Sequence, residues 1–266
     1  MTDLGPDLDL IRAAAVEAGA LALAERAKGV SVRSKPGGSP VTSADYAVDA
    51  MLKDALLSAR PDYGWLSEET EDTPDRLARR RIFIVDPIDG TVAFMKDRPW
   101  WCVPIAVVED GRVVAAVIHA PMLGETYTAT LGGGAVLNGQ PIHAATTSEL
   151  ENAGVLASAQ IFKDLYWPEP WPPMRFENRN ALAYRMSLVA AGVFDAAVAF
   201  TPRWDWDVAA GSLVAREAGA IVTDHHGGEW RFNRPDPRQA SMVCAAAALH
   251  PLILARTRHI ALAEQD

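Results

Sequence analysis

The chain has 266 residues, enough to bury a substantial core in one large unit or two smaller ones. Apolar residues make up 49% and charged residues 22%, an ordinary globular balance, and a net charge of −9 argues against a nucleic-acid backbone as the main partner. Cys102 and Cys244 are too few for a disulfide framework, the acidic start lacks a signal-peptide pattern, and no apolar run approaches the roughly 20 residues of a membrane span, so a cytoplasmic protein with no membrane partner is expected.

In chain order, residues 7–28 carry apolar positions at Leu10, Ala14, Leu21 and Ala24 and stop at Gly29, which predicts an amphipathic helix. A short strand over 30–34 and a Pro/Gly loop over 35–40 follow. A second helix starts at Thr42 or Ser43 and runs to about residue 60. Thr42 and Asp45 have capping-box spacing, so Asp45 reads first as a helix-start residue. Residues 63–67 read as a strand ending at Glu68-Glu69. Neighbours on a strand point to opposite faces, so at most one of these glutamates should face a given site. Arg79-Arg80-Arg81 reads as a solvated turn.

Residues 81–85 are an apolar, β-branched run that predicts a buried strand. It delivers Asp86-Pro87-Ile88-Asp89-Gly90-Thr91, after which 91–95 has a short helical pattern. Residues 103–108, 112–120 and 125–129 alternate like an antiparallel meander, with turns at 109–111 and 121–124 and a further hairpin signal at Asn138-Gly139. Gly132-Gly133-Gly134 reads as a turn. In the second half, 154–157, 193–200, 220–222 and 241–244 read as strands, and 181–191, 205–218 and 249 onward as helices. Residues 166–173, rich in Pro and Trp, read as a surface excursion, and His225-His226 as a loop rather than a ligand pair.

The chemistry concentrates at Asp86 and Asp89. Two carboxylates beside a helix start would repel a phosphate unless cations intervene, so the stretch suits a divalent metal that receives a phosphate ester. A plain capped turn, with Asp89 as N-cap, is the alternative. Asp45, Glu68 with Glu69, and Asp205 and Asp207 in Trp204-Asp205-Trp206-Asp207 also fall at element ends, where ligands commonly converge.

Three motifs, Ser67-Glu68-Glu69, the stretch 86–91 and Trp206-Asp207-Val208-Ala209-Ala210-Gly211, resemble the inositol monophosphatase family of Mg²⁺-dependent, lithium-sensitive phosphatases along nearly the whole chain. The resemblance implies a layered αβαβα, α+β fold related to fructose-1,6-bisphosphatase. It implies one phosphatase unit over 1–266, with an α+β half (1–150) carrying the metal-binding turn and an α/β half (151–266) carrying Asp207. It implies two to three Mg²⁺ ions held by Glu68, Asp86, the Ile88 carbonyl, Asp89 and Asp207. Gly90 and Thr91 would hold the phosphate through backbone N–H groups, and Asp45, Glu68 and Thr91 would be catalytic. Of the two tryptophan-flanked acids, Asp207 is expected to be the ligand and Asp205 a rim or supporting residue. The family also suggests a homodimer acting on a small phosphorylated metabolite.

The substrate is less legible. Residues 35–45 and 86–97 look closer to the 3'(2'),5'-bisphosphate nucleotidase branch than to the inositol-phosphate branch. That branch carries a Gly-Ser-Ser-Leu-Lys-like segment where this chain has Asn180-Ala181-Leu182-Ala183-Tyr184-Arg185. Arg185 either replaces a lysine that binds a second phosphate or is a helix-surface residue. Trp100, Trp101, Trp167, Trp171, Trp204 and Trp206 either stack on a nucleobase or serve as core and dimer surface. A histidinol-phosphate or sugar phosphatase, and a protein-binding factor on the same fold, are the other readings.

Overall fold

The computed structural model describes residues 4–35, 38–162, 167, 169–258 and 260. Helix α1 (Gly5–Lys28) leads to a hairpin of β1 (Val32–Ser34) and β2 (Pro40–Thr42), then to α2 (Ser43–Ala59). Thr42 and Asp45 form the expected capping box. The strands β3 (Gly64–Ser67), β4 (Arg81–Val85), β5 (Val103–Glu109), β6 (Arg112–Ala120), β7 (Glu125–Thr130), β8 (Gly134–Leu137) and β9 (Gln140–Pro141) form a seven-stranded sheet in sequence order. Only β3 and β4 run parallel; the rest is the predicted meander. Its tight turns fall where positive φ is needed, at Asp110-Gly111 and Asn138-Gly139.

Short α3 (Thr91–Met95) leaves the end of β4. A second sheet of five strands holds β10 (Gly154–Leu156), β11 (Arg175–Glu177), β12 (Ala196–Ala199), β14 (Ala220–Thr223) and β16 (Met242–Ala246), with β13 (Arg203–Trp204) and β15 (Arg238–Gln239) paired apart. The remaining helices are α4 (Leu182–Ala190), α5 (Asp205–Glu217) and α6 (His250–Thr257).

The layers follow from which faces are apolar. Phe83 and Val85 of β4 pack with α1 and α2, while Ile82 and Ile84 pack with α4 and α5. A strand covered on both faces reads as a continuous apolar run. α4 and α5 fill the space between the sheets, where Gly211 lets them approach: a Cβ there would lie 2.7 Å from the Met186 sulfur. The second sheet buries its other face with α6. The order is therefore helices, sheet, helices, sheet, helix, the layered α+β fold expected. Among the described residues no helix is long and apolar enough to cross a membrane.

Three expectations are corrected. Arg81 is not a solvated turn residue. It opens β4 and reaches Asp7 at 2.9 Å and Glu109 at 3.3 Å, because α1 places a buried carboxylate there. Glu68 and Glu69 do not face opposite ways. The strand ends at Ser67, alternation lapses in the bend that follows, and both meet Lys35. Within 166–173, Trp167 and Trp171 are not a bare excursion but pack in an aromatic cluster with Phe162; residues 166 and 168 lie outside the described ones. His225 is buried, bonded to Ser241 and the Ile260 carbonyl, a structural role consistent with a loop.

Candidate active site

The end of β4 is fastened before any ligand is considered. The Asp86 N–H donates to the Pro104 carbonyl (3.2 Å), and Asp89 and Cys102 exchange backbone bonds at 2.9 and 3.0 Å. One Asp86 carboxylate oxygen accepts the Ile88 N–H at 2.9 Å, an Asx-type turn that sets the Pro87 bend. Gly90 has φ +96°, and a Cβ there would meet the Ala181 Cβ at 3.0 Å and the Trp100 carbonyl at 3.3 Å. Glycine is therefore required on two counts, backbone conformation and space.

Asp89 is buried, and its two oxygens accept the Leu182 N–H at 3.0 Å and the Ala183 N–H at 2.7 Å. It thus caps α4 from a remote segment and ties the two halves of the chain together. Asp45 serves two neighbours: Oδ2 accepts from Thr42 N–H and Oγ1, and Oδ1 faces the Thr91 hydroxyl at 3.3 Å. One oxygen makes the cap, and the other is left facing Thr91. The Thr91 hydroxyl also lies 3.3 Å from the Ile88 carbonyl. Lys35 reaches Glu68 at 2.7 Å and Glu69 at 2.5 Å.

Asp207, on the first turn of α5, is half-buried and accepts the Trp204 N–H at 3.3 Å. Asp205 points elsewhere. It is fully buried and bonded to Gln239 at 2.8 Å. It is not a rim residue; two positions apart on one helical turn, the two acids project to nearly opposite sides.

Electrostatics joins the remaining acids. Burial, reinforced by Glu68, Asp89, Asp207 and Asp45, pushes the Asp86 carboxyl well above the usual carboxylate range. Burial raises Asp89 to about 7 against the pull of the two α4 amides. Burial, then Asp89 and Glu68, raises Asp207 well above its ordinary value. Asp45 is raised by burial, its bonds to Thr42 opposing. Glu68, Asp86, Asp89 and Asp207 therefore lie close enough for their charges to act on one another. Their donor chemistry, carboxylate oxygens with the Ile88 carbonyl nearby, fits a hard divalent cation. Among the described residues, no three His, Cys, Asp or Glu side chains close on a common point as finished metal ligands do.

A family model described as the inositol monophosphatase family matches residues 5–262. The chain belongs to that family. It is 33% identical over 208 residues to the Nus factor SuhB of Escherichia coli, covering 75% of this chain and 77% of that one. It is 33% identical over 201 residues to the inositol-1-monophosphatase of Rhizobium meliloti (71% and 73% covered), and 32% over 230 residues to the histidinol-phosphatase of Chlorobaculum parvum (84% and 87%). Among solved structures, the extragenic suppressor protein suhB of Bartonella henselae superposes with TM-score 0.80 at 26% identity, over 94% of this chain and 98% of that one. The Thermotoga maritima IMPase superposes with TM-score 0.79 at 27% identity, over 94% and 96%. This family consists generally of phosphatases that use metal ions.

Arg185 is half-buried and partly committed to backbone and amide acceptors. Its Nε donates to the Arg179 carbonyl and an Nη donates to Asn178 at 2.8 Å, and burial with the neighbouring Arg203 lowers it to about 10. Trp101 is core, whereas Trp204 is 42% exposed and stacks on Trp206 at 4.7 Å. Sequence reasoning missed Asp49, which fixes the bend after β3 by accepting from Ser67 and, at 2.5 Å, from Thr70. The signal was there: Asp49 lies one helical turn after Asp45, on the same face. The α4 amides that hold Asp89 and the placement of Arg203 have no local signature.

Proposed function

We propose that the chain is a divalent-cation-dependent phosphomonoesterase acting on a small phosphorylated metabolite. The observation that carries this is the shared field of Glu68, Asp86, Asp89 and Asp207 beside the Thr91–Asp45 pair, in a chain of this family. Glu68, Asp86, Asp89, Asp207 and the Ile88 carbonyl would hold two to three Mg²⁺ ions. When bound, such ions neutralise phosphate charge and acidify water.

The protein's own groups do the rest. The Gly90 and Thr91 N–H groups orient phosphate oxygens at the start of α3. The Thr91 hydroxyl positions the attacking water, and Asp45, behind it, accepts a proton. Burial raises the Asp45 carboxyl, which makes it a better base than an exposed aspartate. Gly90 and the Asp89 anchor on α4 keep this arrangement rigid.

The substrates this reading favours are a 3'(2'),5'-bisphosphate nucleotide or an inositol monophosphate, with histidinol phosphate next in view of the Chlorobaculum parvum relative. Phosphate release from each, with and without Mg²⁺ and with added Li⁺, tests it. Mg²⁺-dependent release that Li⁺ suppresses is expected; no release from any ester refutes it. The relatives named Nus factor SuhB favour a second reading, a protein-binding factor. Under that reading, an Asp89→Asn variant loses turnover yet keeps its cellular phenotype. A cytoplasmic homodimer belongs to the same proposal, and sedimentation of the purified chain checks the dimer.

A further inference from the structure

Glu68 and Glu69 lie in a bend rather than in a strand, so the sheet does not fix where they point. The Glu68 N–H still donates to the Val85 carbonyl at 3.4 Å, which seats its backbone beside the end of β4. Beyond that bond the bend is held by a carboxylate from another layer. Asp49, within the 17-residue α2, is buried and reaches both sides of the glutamate pair. One of its oxygens accepts the Ser67 hydroxyl, and the other accepts the Thr70 hydroxyl at 2.5 Å. Thr70 in turn accepts the Trp65 indole N–H at 3.2 Å. The segment that carries Glu68 and Glu69 is thus pinned at both ends to one group on a rigid helix.

An acid at this place needs a reason. Among the described residues Asp49 pairs with no cation, and a buried carboxylate without one costs stability. Asparagine has a similar shape but offers one acceptor oxygen where aspartate offers two. Only the carboxylate accepts from both hydroxyls at once, through charge-assisted bonds that are stronger than neutral ones. With both oxygens engaged, Asp49 is not itself offered to a metal. The Glu68 carboxylate is bonded by Lys35 at 2.7 Å, but Lys35 bonds Glu69 as well and so does not by itself choose where Glu68 points.

We propose that Asp49 is a positioning residue that presets Glu68 for the divalent cation, acting through Ser67 and Thr70 and not as a ligand. The inference rests on the divalent-cation reading of the site and adds a residue to it. A ligand held in its bound direction beforehand loses less freedom when the cation arrives. One face of α2 then serves the site twice: Asp45 faces Thr91, and Asp49, one turn on, holds the Glu68 bend.

Calorimetric titration of the full chain with Mg²⁺ or Mn²⁺, with no ester present, tests this. Asp49→Ala should raise the cation's Kd about 10–100-fold, the usual cost of removing a group that orients a metal-holding side chain. In a Glu68→Gln background, where Asp86, Asp89 and Asp207 remain to hold a cation, the same change should raise Kd no further. Ser67→Ala and Thr70→Val cut the two bonds from the other side and leave α2 intact, so they carry the test should Asp49→Ala fail to fold; each should raise Kd in the same direction. A role confined to stability gives a different pattern, a lower melting temperature with Kd unchanged, and that result overturns the inference. So does an Asp49→Ala effect that is equally large with and without Glu68. A parent protein that binds neither cation overturns it together with the phosphomonoesterase reading, whereas variants that bind as tightly as a binding parent overturn the positioning role alone.

Discussion

Gly90→Ala puts the central turn under direct test. Gly90 sits at φ +96°, a conformation that costs an L-residue about 1–2 kcal/mol. The added methyl would also lie 3.0 Å from the Ala181 Cβ and 3.3 Å from both the Ala181 nitrogen and the Trp100 carbonyl. Two of these are backbone atoms that cannot rotate away, so overpacking adds about 1–3 kcal/mol. A total near 3 kcal/mol lowers the melting temperature by about 6–12 °C in a chain of this size. Gly124→Ala is the control. It has φ +65° and nothing within 4 Å of the new methyl, so it loses only the conformational part, about 2–8 °C and less than Gly90→Ala. The displacement in Gly90→Ala also falls between Asp89 and Thr91, where a shift of about 1 Å costs on the order of 10²-fold in kcat. Scanning calorimetry and phosphate release measure the two effects. Equal melting shifts in the two variants would refute the claim that Gly90 is held against Ala181 and Trp100.

Three further outcomes follow from other parts of the molecule. Asp45→Asn keeps an acceptor for the Thr42 N–H, so its melting point stays near the parent's while kcat falls about 10²-fold; a matching loss of stability would reduce Asp45 to a cap. Asp7 holds Arg60 at 2.8 Å, Tyr63 at 2.7 Å and Arg81 at 2.9 Å, so Asp7→Ala should cost about 2–3 kcal/mol by urea titration, less than a fully buried pair because Arg81 retains Glu109; a shift below about 0.5 kcal/mol contradicts this. Burial raises Asp205 to about 6, so the folded state binds its proton more tightly than the unfolded chain. Stability from that proton is complete below about pH 4 and is lost as pH rises to about 6. Asp205→Asn escapes the loss and should melt higher than the parent at pH 8 but not at pH 4, whereas the same difference at both pH values would show that the charge is not what matters.

Part of the site was legible because its geometry is local. Asp86, Ile88 and Asp89 lie on one turn, and a buried strand followed by Pro and Gly leaves that turn few shapes. The capping box at Thr42 and Asp45, the meander and its Asp110-Gly111 and Asn138-Gly139 turns belong to the same class: each depends on neighbours a few residues away. The misreadings arose where one tertiary contact overrode a local rule. Strand alternation failed at Glu68-Glu69 because the strand stops at Ser67 and Lys35 recruits both acids. Arg81 was drawn in by Asp7, 74 positions away.

Side-chain type, periodicity and turn chemistry thus determined most of the elements, since these are set by short-range sterics and by which faces must leave water; the layering and the roles of the acids came from the resemblance. Only the folded chain decided which charges stand together. Asp89 meets the α4 amides 93 and 94 positions on, and Arg81 meets Asp7 74 positions back. Such pairings depend on how layers stack, and Coulomb energy falls with distance in space, to which separation along the chain is no guide.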